Sequence, residues 1–347
     1  MAKSIVGVDI GDDSIRAVEV KDPSKPHPVV TRFHQLPLPE GAVRAGEVLE
    51  PNTVAAVLKK LWSTGGFKTR NIVLGMGNQR VFARDITLPY APLEQIRESL
   101  PFQVQEHVPM PVSEAVLDFY PVSEVMVDGV RSINGLLIAA TKESVLANIS
   151  AATIAGLAVM DVDLIPFAIT RVHRAAGISN GTLAAVDVGS FMTNVVIARN
   201  GVPEFVRIIA GGGNEVNEAL VNRLSMAPAT AELAKRKLGM EPTNLAEAAP
   251  ASAIITEVSG ELITGIRKTL DFYTAAQPGR SIDRIAITGG GARLRGFTNA
   301  LTELTRVPVV AGNLRDAATL ASKLSRIDGD HAQSMMVGLG LAMGHGK

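Results

Sequence analysis

Val6-Gly7-Val8-Asp9-Ile10-Gly11-Asp12-Asp13-Ser14-Ile15-Arg16-Ala17-Val18, near the start of the chain, has an echo half a chain later. The echo is Ala184-Ala185-Val186-Asp187-Val188-Gly189-Ser190-Phe191-Met192-Thr193-Asn194-Val195-Val196. Each copy is a short apolar run, an Asp-x-Gly turn with small or polar residues, and a second apolar run. That pattern predicts a β-hairpin, with β-branched strands either side of a turn that glycine permits. A tight turn carrying a carboxylate and free backbone N–H groups can cradle a phosphate and, through the carboxylate, a Mg2+ ion. One Asp-x-Gly turn is a common structural feature. Two matching copies predict two related halves facing one ligand.

The chain has 347 residues, which suggests roughly two to three domains. Apolar residues make up 46%, ample for buried cores. Lys and Arg number 34 and so do Asp and Glu; zero net charge removes the electrostatic footprint of a nucleic-acid binder. No polybasic run marks a membrane-surface patch. Cysteine is absent, so there is neither a disulfide framework nor a thiolate metal site, as suits a reducing cytosol. The apolar run before Asp9 is too short for a signal-peptide core. The most apolar long window, 151–170, is interrupted by Asp161, Asp163 and Pro166, so no spanning helix and a soluble protein are expected. The six histidines (27, 34, 107, 173, 331, 345) lack ligand spacing and read as structural or surface residues.

After the first hairpin come a strand at 28–36, a helix from Asn52 through Trp62 stopped by Gly65-Gly66, and a buried strand at 71–76. This succession indicates an α/β domain. From Val81 the pattern changes: a strand at 81–88, a helix at 93–107 apart from Pro101, and a strand at 117–122. An Asp128-Gly129 turn, a strand at 135–141 and a helix at 143–155 follow. This stretch lacks the Asp-x-Gly pattern and reads as an inserted small domain. A strand leading into a helix occupies 162–176.

Past the second hairpin, a strand at 204–209 runs into Gly211-Gly212-Gly213-Asn214 and a helix at 215–224. Asn214 would be the N-cap, with helix N–H groups aimed at whatever lies in front; the simpler alternative is a tight turn needing several glycines. Glu232, Lys235 and Arg236 share one turn of a helix at 231–238, the usual pattern of a solvated face. A loop at 240–253, a long packing helix at 254–273 and a strand at 284–288 come next. Gly289-Gly290-Gly291-Ala292-Arg293, a short strand at 307–310 and a small-residue helix at 336–343 complete the order.

The ordered set of Asp9 hairpin, Asp187 hairpin and strand plus triple glycine resembles the superfamily of actin, heat-shock chaperones and sugar kinases. The 338–343 segment is similar to its closing helix. The insert narrows the resemblance. Glu98-Ser99-Leu100-Pro101-Phe102, Glu106-His107-Val108-Pro109, Asp118-Phe119-Tyr120 and Leu137-Ile138-Ala139-Ala140-Thr141-Lys142 resemble the subdomain of PilM-type type IV pilus assembly proteins, relatives of the division protein FtsA. The resemblance implies an α/β, actin-like (ribonuclease H-like) two-lobed fold with a small inserted α+β subdomain. Its expected segments are 1–80 for lobe I, 81–160 for the insert, 161–180 for the return to lobe I and 181–325 for lobe II. Lobe II would hold a smaller subdomain at about 214–280, and 326–347 would be a C-terminal helix returning to lobe I.

The same resemblance implies ATP and Mg2+ between the lobes. Asp9 and Asp187 would hold Mg2+ through water and face the β/γ-phosphates. Gly11, Ser14 and Arg16 would line the first loop, and Gly189, Ser190 and Thr193 the second. Gly211 and Gly212 would border the ribose and phosphates, Glu232, Lys235 and Arg236 the ribose and adenine, and Gly289, Gly290, Gly291 and Arg293 would cover the adenine. Asp187 is a catalytic candidate and no other is assigned. Phe191 and Met192 stand where actin and FtsA often carry Gly and Thr, leaving less close backbone approach to the γ-phosphate. No acid or Gln in 162–176 offers to orient an attacking water, so slow or absent turnover is expected.

The implied role is a cytoplasmic ATP-binding scaffold, peripheral at the inner face of the cytoplasmic membrane. It would be recruited by the N-terminal peptide of a PilN-type inner-membrane protein, docked between the 81–160 insert and the first lobe. Contacts with other pilus assembly proteins and self-association stay open. Two alternatives remain. An FtsA-like filament would want a C-terminal amphipathic basic-apolar helix, which Leu341-Ala342-Met343-Gly344-His345-Gly346-Lys347 does not supply. A small-molecule kinase would want a catalytic Asp near a substrate pocket.

Overall fold

The computed structural model describes residues 4–241, 243–277 and 279–345; the outermost ends of the expected 1–80 and 326–347 segments lie outside the described residues. The first hairpin pairs Ser4–Ile10 with Ser14–Lys21, which puts Asp9 opposite Arg16. Asn71–Met76 and Ala158–Leu164 extend this sheet in parallel on one side. Val29–Pro37 extends it antiparallel on the other, and Thr319–Leu320 closes it as the sixth strand. Side chains alternate along each strand. Val6, Val8 and Ile10 therefore meet Val54, Leu58 and Leu61 of helix Pro51–Gly65, while Ile5, Val18 and Val20 face the opposite layer.

The second hairpin, Thr182–Val188 with Met192–Arg199, sits in a five-stranded sheet. Val202–Ala210 flanks it on one side, Arg284–Thr288 and then Val309–Ala311 on the other. Val186, Val188 and Ile197 pack on Leu262, Ile263 and Ile266 of helix Ala249–Ala276. The reverse face, with Leu183, Ala185 and Val196, shares one core with the first sheet. Helices Ile165–Ala175 and Met336–Gly344 fill that shared layer. Glycine is required for their approach: a Cβ on Gly7 would overlap the Gly338 carbonyl, and one on Gly340 would overlap the Ala168 backbone.

The insert is a three-stranded antiparallel sheet in the order Val81–Pro89, Val130–Thr141, Ala115–Val127. Helix Leu93–Gln103 covers one face, where Ile96 and Leu100 join Phe119 and Leu137. The other face packs Leu136 and Ile138 into the shared core, and Tyr120 stacks on Phe167 with ring centroids 4.9 Å apart.

Several local expectations are corrected. The helix expected at 93–107 ends at Gln103, two residues after Pro101, which has no N–H to give the Arg97 carbonyl and so weakens the last turn. The strands expected at 117–122 and 135–141 run on to the hairpin tip. Asp128 and Gly129 both adopt positive φ, which matches the strand twist and lets pairing continue to the turn. The loop expected at 240–253 already contains the start of the long helix at Ala249, with proline in its first turn. The chain also returns to the first sheet at Thr319–Leu320, before position 326.

Candidate functional site

The two hairpin turns are closed alike: Gly11 N–H donates to the Ser14 carbonyl at 3.1 Å, and Gly189 N–H to the Met192 carbonyl at 2.9 Å. The turns also meet. Ser190 Oγ donates to Asp13 Oδ2 at 3.0 Å, and around this contact a cavity of about 830 Å³ opens between the lobes. Asp9 and Asp187 both line it and both are buried.

Their electrostatics differ. Arg16 Nη1 donates to Asp9 Oδ2 at 3.0 Å, and Nη2 lies 3.4 Å from Asp13 Oδ1. Among the described residues no ion pair to Asp187 is formed; the residue opposite it in the hairpin is Asn194. Thr288 Oγ1 donates to Asp187 Oδ1 at 3.0 Å. Burial, and then the neighbouring Asp9 charge, push the Asp187 carboxyl up to about 6, against the pull of Thr288 and Arg16. A cation placed between the two carboxylates would relieve both causes.

One wall of the cavity is nearly bare backbone. A Cβ on Gly212 would overlap the Gly189 carbonyl, one on Gly289 (φ +91) would overlap the Val188 carbonyl, and one on Gly291 would come within 2.5 Å of Val188 Cγ1. Gly189, Ser190 and Gly290 also line the space, as does Arg293, whose Nε lies 3.5 Å from the Gly290 carbonyl. The expected Asn214 cap is corrected. Gly212 is the N-cap of helix Gly213–Leu224. The N–H groups of Gly213 and Asn214 donate to the Gly189 and Ser190 carbonyls at 2.9 and 2.8 Å. Those donors fasten the helix to the second turn instead of facing the cavity, because the missing side chain at 212 lets the backbones approach.

Glu232, Lys235 and Arg236 also line the cavity, and Lys235 Nζ donates to the Gly213 carbonyl at 3.0 Å. Lys235 Nζ and Arg236 Nε each lie 2.6 Å from a Glu232 carboxylate oxygen, and Asn217 Nδ2 donates to it at 2.8 Å. Burial alone would raise the Glu232 carboxyl; bonds from Lys235, Arg236 and Asn217 outweigh it and hold it at about 2. The cluster is thus a fixed polar edge of the cavity. Asn217 Oδ1 and Ser259 Oγ, also at the cavity, are buried without a hydrogen-bond partner, which a ligand could supply. Val258, Leu262, Leu294 and Phe297 give the same region an apolar floor.

Four residues of the expected set do not line the cavity. Gly11 closes the first turn. Ser14 is buried, donates to Asp13 Oδ1 at 3.0 Å and accepts from Gln35 Nε2 at 3.1 Å. Buried Thr193 donates to the carbonyl of Gly211 at 2.8 Å, so both residues brace the second turn from behind. Conversely, sequence reasoning missed Asp13, Asn194, Asn217, Ser259 and Thr288. Three of these had a signal: Asp13 stands in the quoted turn, Asn194 holds the place of Arg16 in the repeat, and Thr288 precedes the triple glycine. Asn217 and Ser259 are helix residues without one. Of the histidines, His173 is fully buried and held neutral by burial, with its titration lowered to about 4, whereas His331 lines the cavity.

Two sheets with a shared helical layer and a cleft between paired Asp turns define an actin-like fold. The ethanolamine utilization protein EutJ from Carboxydothermus hydrogenoformans shares the fold at 15% identity and a TM-score of 0.57, covering 99% of this chain and 90% of that one. MreB 5 of Spiroplasma citri bound to AMPPNP shares it at 10% identity and a TM-score of 0.53, covering 98% and 95%. The PilM-PilN type IV pilus biogenesis complex matches at 27% identity and a TM-score of 0.84, covering 98% of this chain and 97% of that one. The family profile described as type IV pilus assembly protein PilM spans residues 7–345, and the chain belongs to that family.

Proposed function

We propose that this PilM-family protein binds Mg-ATP between its lobes and serves as a cytoplasmic scaffold that docks the N-terminal peptide of a PilN-type inner-membrane protein. One observation carries the nucleotide part: Asp9 and Asp187, from two turns in direct contact, line one cavity. The donor set suits the ligand. Mg2+, held through water by the two carboxylates, would neutralise phosphate charge and cover Asp187. The glycine wall leaves room for ribose and phosphates, the apolar floor suits a base, and Glu232, Lys235, Arg236 and Asn217 offer it a polar edge. Turnover is slow or absent in this reading, because Phe191 and Met192 stand in the second turn where a glycine would allow closer backbone approach to a γ-phosphate.

The partner part rests on the likeness to the PilM-PilN complex and on the surface between insert and first lobe. There two strand edges stay open, Ala115–Val127 in the insert and Ala158–Leu164 in the first sheet. Val116 and Met160 on these strands, and Leu146 on the connecting helix Lys142–Ile154, are exposed. Open edges and apolar side chains together suit an extended apolar peptide. Among the described residues no helix is long and apolar enough to cross a membrane, so the partner would be the tether. The same reading divides the chain into lobe I (1–80 and 161–180), the insert (81–160), lobe II from 181, and a C-terminal return to lobe I.

Two titrations test it. Calorimetry should give Mg-ATP binding to the wild type and none to Asp187→Ala; no binding by the wild type removes the nucleotide reading, and equal binding by both removes Asp187 from it. A labelled PilN-type N-terminal peptide should lose affinity for Leu146→Asp; crosslinks confined to lobe II would reject the docking surface.

A further inference from the structure

We infer that Asp13 is a resident competitor for the phosphate-binding groups of the cleft and so decides which phosphate ligands the site accepts; this rests on the Mg-ATP reading above. Its carboxylate gathers three donors. Ser14 Oγ donates to Oδ1 at 3.0 Å, Arg16 Nη2 lies 3.4 Å from the same oxygen, and Ser190 Oγ donates to Oδ2 at 3.0 Å. Two of these belong to the first turn and one to the second, so a single side chain ties the turns together across the cleft. Of these donors the Ser190 hydroxyl and the Arg16 guanidinium belong to residues that line the cavity, and they are also the groups an incoming phosphate would engage. Carboxylate and phosphate cannot hold them at once.

Charge sharpens the competition. Asp13 lines the cavity together with Asp9 and Asp187, and Arg16 is the cation bonded to this carboxylate group. At the two turns a phosphate arriving without a divalent cation meets the carboxylates of Asp9, Asp13 and Asp187 beside the Arg16 guanidinium, while Glu232, Lys235, Arg236 and Arg293 line the rest of the cavity. The Asp13 charge adds to the repulsion at the turns. A metal-bound triphosphate brings its own neutralisation and can take Ser190 and Arg16 for itself. The displaced carboxylate has somewhere to go, since the Asp13 side chain is 55% exposed. The contacts with Ser190 and Arg16 give Asp13 the role of a phosphate stand-in. Ligand selection follows from this: inorganic phosphate, pyrophosphate and metal-free ATP are disfavoured, and Mg-ATP is admitted.

The experiment uses the full-length protein. Wild type, Asp13→Ala, Asp13→Asn and Ser190→Ala are titrated by calorimetry with ATP, once with Mg2+ and once with EDTA, and Asp187→Ala serves as the binding-null control. Amide hydrogen exchange at 11–14 and 189–192 is followed without nucleotide. Both Asp13 variants should bind Mg-ATP roughly tenfold more tightly and metal-free ATP by a larger factor, so that dependence on Mg2+ shrinks. Asp13→Ala and Ser190→Ala should both exchange faster at the two turns. Unchanged or weaker Mg-ATP binding by the Asp13 variants, with the wild type still binding, overturns the inference and leaves the nucleotide reading standing; weaker binding would make Asp13 a holder of the metal's water. No binding by any variant removes both. Binding by the Asp13 variants but not the wild type supports both.

Discussion

The two carboxylate turns share a backbone and differ in one partner. In each, the glycine after the Asp closes the turn by the same hydrogen bond, and in each the Asp faces, across the hairpin, the residue seven positions on. In the first hairpin that residue is Arg16, and its guanidinium neutralises Asp9. In the second it is Asn194, whose Oδ1 is buried without a partner. A repeated backbone therefore does not repeat a charge. The first turn is nearly self-sufficient, whereas the second holds a carboxyl that burial lifts to about 6 and that only a hydroxyl supports. The need for an added cation is concentrated on lobe II.

Exchanging the charged group for its amide should break this comparison most strongly. Asp187→Asn is expected to lose at least about a hundredfold in Mg-ATP affinity while making the ligand-free protein more stable. The upper limit of that gain is about 3 kcal/mol at neutral pH, the cost of ionising a carboxyl raised from 3.8 to about 6. Parallel calorimetry and thermal melts measure both quantities, and a destabilised Asp187→Asn would contradict the burial argument. The matched change in the first turn, Arg16→Ala, should act the other way. It leaves Asp9 buried without its cation, so stability should fall by about 2 kcal/mol in urea unfolding.

The pH profile sharpens the same contrast. Because the folded Asp187 carboxyl titrates above its unfolded value, its contribution to stability is full below about pH 4, falls as pH rises through 6, and stays low beyond. Protons compete with the cation, so Mg-ATP affinity should weaken by up to about tenfold per unit as pH falls below 6. A flat affinity between pH 5 and 7 would contradict this. The smallest effect belongs to Asn194→Ala. Its unpaired oxygen gives little to lose, so ATP affinity should stay within about threefold and stability within about 1 kcal/mol. Calorimetry and urea unfolding measure the two.

Much of the frame was legible because it follows from local chemistry. β-Branched runs around Asp9-Ile10-Gly11 and Asp187-Val188-Gly189 form the two hairpins. Gly66, in the left-handed region at φ 63, stops the helix that begins after Glu50. The Asp128-Gly129 turn lies where its residue types demand positive φ. The misreadings share a cause: local signals lost to tertiary partners. Asn214 has good capping chemistry, yet Gly212 takes the cap because the second turn lies against it. Glu232, Lys235 and Arg236 have the spacing of a solvated face, so the family resemblance and not the local pattern points to the cleft; they edge the cavity because helix Pro228–Leu238 packs beside Gly213 and Asn217. Thr193, expected on the second loop's ligand side, braces Gly211 from behind.

By itself the sequence determined the two hairpins, the glycine wall, the inserted α+β segment and the small-residue helix, since each depends on side-chain size, strand alternation or permitted φ within a few residues. Tertiary structure alone decided that the turns touch through Asp13 and Ser190, and that Asp9 keeps a cation while Asp187 does not. It also left Asn217 and Ser259 with unmet hydrogen bonds beside the cavity. Those outcomes depend on distances between groups far apart in the chain and on the water excluded between them, and no local pattern encodes either.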